Sequence, residues 1–82
     1  MDCSSITRQL EEQFPGCTIN VEGGDGKYLV TIVGEVFSGL NSVRRQQQVY
    51  QVLNDHIASG DIHAVSMRLF TEDEFASADS GN

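Results

Sequence analysis

Apolar side chains recur at Ile6, Leu10 and Phe14, a helical spacing that follows several capping candidates in Asp2 to Ser5. Pro15-Gly16 stops this first helix, because proline cannot continue it and glycine accepts the turn. From Cys17 to Glu22 apolar and polar residues alternate, which predicts a half-buried strand. Gly23-Gly24-Asp25-Gly26 is a glycine-rich turn whose Asp-Gly pair is a strong hairpin signal. Tyr28 to Val33, rich in β-branched and aromatic residues, predicts a second strand. The connector 34–40 carries Gly34 and Gly39, which are expected to let the backbone turn beneath the next helix.

That helix is capped by Asn41 or Ser42 and stopped by Gly60, the natural C′ glycine. Its expected buried face is Val43, Val49, Tyr50, Leu53 and Ile57. Gln46, Gln47, Gln48 and Gln51 make its middle polar, so a bend or a division in two is expected there. A third strand is expected from His63 to Phe70, with Val65, Met67 and Leu69 alternating against Ala64, Ser66 and Arg68. Thr71-Glu72-Asp73-Glu74 fits a capping box, opening a short helix through Phe75; 76–82, small and polar, reads as a frayed tail. The order α-β-β-α(α)-β-α predicts a single α+β domain over 1–82, a three-stranded sheet with helices packed on one face.

Charge narrows the functions such a domain can carry. Twelve acids against five bases give a net charge of −7, which repels phosphate backbones and disfavours a general nucleic-acid binder. Arg44-Arg45 is the one candidate basic patch, and a solvated helix face is the plainer reading of it. Cys3 and Cys17 match neither a disulfide framework nor a zinc-site spacing, and read as ordinary thiols. The first residues hold no basic region or apolar run, and no stretch approaches the roughly 20 apolar residues of a membrane helix, so a reduced, cytoplasmic setting is expected. No nucleophile–base spacing, phosphate-cradling loop or paired-carboxylate motif is present, and the expectation is a protein that is not an enzyme.

One junction carries chemistry. Ile62-His63-Ala64-Val65-Ser66 places an imidazole where the helix turn hands over to a strand. Taken alone, His63 reads more readily as a structural histidine than as a ligand. His56, one residue before Ile57, reads as a surface residue. Gly23-Gly24-Asp25-Gly26 matches a Gly-x-x-Gly loop superficially, but it joins two strands and contains an acid, so it reads as hairpin chemistry.

Taken together, Gly34-Glu35-Val36-Phe37-Ser38-Gly39, Val43-Arg44-Arg45-Gln46-Gln47-Gln48-Val49-Tyr50, Ile62-His63-Ala64-Val65-Ser66 and Thr71-Glu72-Asp73-Glu74-Phe75 closely resemble the BolA-like proteins. The Gln-Gln before Val-Tyr resembles the small bacterial, acid-stress-associated branch. The resemblance implies a class II KH-like fold and a partnership with a monothiol glutaredoxin, sharing a [2Fe-2S] cluster in iron–sulfur cluster trafficking or iron and stress regulation. It implies His63 as a metal ligand, with further thiolates from the glutaredoxin and glutathione, and no cofactor intrinsic to this chain. Alone, the chain is expected to be a monomer or weak homodimer. A second ligand, His or Cys, is implied in the loop between the first two strands, where this chain has Lys27 beside Asp25. Protonated lysine has no lone pair, and carboxylate oxygen suits iron–sulfur iron poorly. Arg44, Arg45, Asp25 and Lys27 are the candidate contacts for a partner or nucleic acid. The alternative reading is a KH-like nucleic-acid-binding transcriptional regulator, which needs Arg44, Arg45 and Arg68 on one face.

Overall fold

A computed structural model describes residues 2–80, the last three by backbone alone. Its elements run α1 (Cys3–Gln13), β1 (Thr18–Gly24), β2 (Lys27–Val33), a 3-10 turn at Glu35–Phe37, α2 (Ser42–Ser59), β3 (Ala64–Phe70) and α3 (Glu72–Ser80). The three strands form one mixed sheet in the order β1-β2-β3. β1 and β2 are antiparallel neighbours, with Val21 opposite Val30, whereas β3 joins β2 in parallel, with Val30 opposite Met67. A parallel neighbour needs a long crossover, and α2 is that crossover.

Alternation sets the faces. Tyr28, Val30 and Ile32 of β2 are buried together with Ile6, Leu10 and Phe14 of α1 and Val49 and Leu53 of α2. Ile19, Val21, Val65, Met67 and Leu69 are partly buried against the same cluster. Phe37, fully buried, closes the core from the 3-10 turn, its ring 6.0 Å from that of Phe14.

Each helix start is tied by a side chain. Asp2 accepts from Ser5 N at 2.9 Å, which holds its carboxyl below the usual range, and Asn41 accepts from Arg44 N at 2.9 Å. Thr71 and Glu74 make both arms of the capping box, Glu74 N to Thr71 Oγ1 at 3.2 Å and Thr71 N to Glu74 Oε1 at 3.0 Å.

Four expectations change. The central helix is not divided in two; α2 is one helix of 18 residues, because its glutamines are good helix formers and its polar middle largely faces out. Val43, Tyr50 and Ile57 are exposed rather than buried. The face that meets the core is rotated, running through Arg45, Gln48, Val49, Val52, Leu53 and His56. His56 is half-buried and bonds Gln9 of α1 at 2.9 Å, so it ties two helices rather than facing solvent. Finally, α3 passes Phe75 and reaches Ser80, where a frayed tail was expected; residues 81–82 of that tail lie outside the described residues.

Candidate functional site

Backbone constraints deliver His63 to its place. Gly60 ends α2 in the left-handed region at φ 88°, a conformation that glycine adopts without steric cost. The chain then turns back, Ile62 N bonding His56 O at 3.1 Å, and Ile62 inserts into the core at 2% exposure. His63 follows, exposed and one residue ahead of β3.

The β1–β2 hairpin is its immediate neighbour. Asp25 and Gly26 carry positive φ angles of 55° and 79°, the requirement of a two-residue type I′ turn. The Gly26 carbonyl accepts two bonds from the junction, from His63 N at 2.7 Å and from Ala64 N at 3.1 Å. Lys27 stands opposite Ala64 in the register. The fold thus sets His63 against the hairpin turn that carries Asp25 and Lys27, although the two stretches lie far apart in sequence.

Among the described residues the His63 ring has no hydrogen-bond partner. Nor does any group of three His, Cys, Asp or Glu among the described residues lie placed to hold a metal ion. The two thiols have their own contacts. Cys3 Sγ lies 3.5 Å from Gly23 O, and Cys17 Sγ packs against Gly34. Burial, then the nearby Glu72 charge, pushes the Cys17 thiol up, away from the thiolate that binds metal or attacks.

The two adjacent arginines are placed very differently. Arg44 is exposed. Arg45 is turned inward with 13% of its side chain exposed. Its Nε donates to Leu40 O at 2.9 Å, Nη1 to Leu69 O at 3.1 Å, and Nη1 and Nη2 to the two carboxylate oxygens of Glu74. The guanidinium also lies 5.9 Å from the centre of the Phe37 ring. Arg68, on β3, stacks over Phe70 at 5.6 Å. The basic patch therefore consists of one solvent-facing arginine and one interior tie. Sequence reasoning missed the tie, whose only local trace is Glu74 three residues after Thr71.

A family model for BolA-like protein matches residues 7–74, which span the hairpin, the His63 junction and the capping box. The chain belongs to the BolA-like family. Its match to the Acid stress protein IbaG of Escherichia coli (strain K12) is 41% identical over 58 residues, 71% of this chain and 69% of that one. The DNA-binding transcriptional regulator BolA of Haemophilus influenzae is 34% identical over 53 residues, 65% of this chain and 50% of the regulator. Among solved structures, a BolA homologue from Coxiella burnetii superposes with a TM-score of 0.79 at 26% identity, covering 93% of this chain and 97% of that one. The small α+β architecture with its mixed sheet is the fold of these BolA proteins.

Proposed function

We propose that this BolA-like chain is a non-enzymatic partner of a monothiol glutaredoxin and brings His63 to a [2Fe-2S] cluster, in iron–sulfur cluster trafficking or iron and stress regulation. The observation that carries this reading is His63 itself: an exposed imidazole, fixed by its backbone to a hairpin, whose ring has no hydrogen-bond partner among the described residues. Neutral imidazole is a good iron ligand through its unprotonated nitrogen. Lys27 cannot ligate while protonated; this chain supplies one ligand and the glutaredoxin side supplies the thiolates. Likeness to the acid stress protein IbaG supports the stress branch of the reading.

Mixing the purified protein with cluster-loaded monothiol glutaredoxin is expected to change the visible absorption and circular dichroism of the cluster. His63→Ala is expected to abolish that change. Identical spectra for wild type and variant would sink the ligand assignment.

A second reading, a nucleic-acid-binding regulator, is favoured by the likeness to the Haemophilus regulator. Its three candidate contacts are Arg44, Arg45 and Arg68, and two of these are engaged, Arg45 with Glu74 and Arg68 over Phe70. A net charge of −7 opposes it further.

A further inference from the structure

Gly26 lies beneath the imidazole of His63, and the absence of its side chain is what makes room for the ring. A Cβ built on Gly26 would stand 3.1 Å from Cγ and 3.3 Å from Nε2 of His63, and closer still to Cδ2, nearer than real Cβ atoms approach a neighbour. In that order of distances the Cδ2–H edge of the ring points into the turn. Nδ1 is not among the three nearest atoms, and Nε2 is the farthest of the three. The contact therefore uses a carbon edge and leaves the nitrogens for other work. Gly26 is itself buried, although it sits in a hairpin turn, because the histidine covers it. Its carbonyl meanwhile holds the His63 and Ala64 amides.

We propose that Gly26 is a positioning residue for His63. Its carbonyl fixes the backbone, its bare Cα seats the Cδ2 edge, and together they aim the ring nitrogens outward. Resting on the proposed role of His63 as a cluster ligand, this gives the β1–β2 hairpin a function of its own. The turn contributes a seat where it lacks a ligand. A side chain at position 26 would lever the ring off its seat and misdirect its lone pair without touching the cluster. A misplacement of about 1 Å is enough to matter for a preorganised group.

In the wild-type protein, a nuclear Overhauser contact between Gly26 Hα and His63 Hδ2 is expected, with no cluster or partner present; its absence would overturn the seat outright, whether or not any variant folds. Gly26→Ala is then compared with Gly16→Ala. Both positions have positive φ, 79° and 83°, so both variants carry similar backbone strain, but a Cβ at Gly16 meets nothing within 4 Å, and Gly16 lies in the connection between α1 and β1 rather than at the His63 junction. Gly26→Ala is expected to shift the His63 ring resonances and to reduce the glutaredoxin-cluster spectral change at least 10-fold; Gly16→Ala is expected to alter neither. Unshifted His63 resonances in a folded Gly26→Ala protein, or an equal cluster defect in Gly16→Ala, would overturn the positioning role. A His63→Ala protein that retains the full spectral change would instead overturn the ligand reading and remove the role built on it, while the contact in the wild type stays observable.

Discussion

Glu74 accepts from three groups, the two terminal nitrogens of Arg45 and the backbone of Thr71, and these partners define the chemistry of a single residue well. The Arg45 guanidinium first, and then the Thr71 amide, hold its carboxyl down at about 2, against an ordinary value of 4.5. Its folded-state value lies below the unfolded one, so ionised Glu74 stabilises the fold above pH 4.5 and that contribution is lost as pH falls toward 2. Wild type is therefore expected to lose stability on acidification from pH 5 to about pH 2 more steeply than Glu74→Gln does. Urea unfolding midpoints across that range measure it; parallel curves would contradict the tie. Arg45→Ala leaves the Leu40 and Leu69 carbonyls without their donor and is expected to destabilise by about 2 kcal/mol at pH 7. Arg44→Ala, at an exposed position, is expected to change stability by no more than about 0.5 kcal/mol.

At the scale of the element, α2 shows how periodicity can be right while the face it implies is rotated. Valine, tyrosine and isoleucine at 43, 50 and 57 recur every seven residues, yet all three are exposed. Val49 and Leu53 of the expected face are buried against the sheet and α1, and Val52 rather than Val43, Tyr50 or Ile57 completes the stripe. Leu53→Ala, in the fully buried stripe, is expected to cost about 2–5 kcal/mol from lost transfer energy and the cavity left behind. Val43→Ala is expected to be neutral or slightly stabilising, because alanine is the better helix former by a few tenths of a kcal/mol, roughly, and little contact is lost. Thermal unfolding of the two variants separates the faces; a large loss in Val43→Ala would restore the stripe read from periodicity alone.

For the whole molecule the decisive quantity is the distribution of five bases among twelve acids. Non-specific nucleic-acid binding scales with the phosphates that lysine and arginine neutralise. With Arg45 turned inward to Glu74, little basic surface remains to track a backbone. No binding to duplex DNA is therefore expected even at about 50 mM salt, the permissive end of the range. Fluorescence anisotropy with a labelled duplex tests this. Salt-dependent binding that weakens in Arg44→Ala would favour the nucleic-acid reading instead; Arg44 is the cleaner probe, since a change at Arg45 also unties α3. Among the described residues no helix is long and apolar enough to cross a membrane.

Local sequence by itself determined every element whose cause is local. The Asp25-Gly26 turn, the Asp2 and Asn41 caps, the Gly60 stop and the Thr71–Glu74 box each follow from side chains within four residues of the backbone they satisfy. Strand alternation is equally local, since it needs only a two-residue period, and it identified Val65, Met67 and Leu69 as the inward side of β3. The tertiary structure alone decided what depends on partners distant in sequence. Which face of α2 is buried was set by where α1 and the sheet lie. The inward turn of Arg45 was set by Glu74, 29 positions away, and by the Leu40 and Leu69 carbonyls. His56 found Gln9, 47 positions back, for the same reason. His63 was legible as a candidate from its junction, but not the seat beneath it. That contact joins positions 26 and 63 across the sheet, and glycine leaves no side chain in the sequence to announce it.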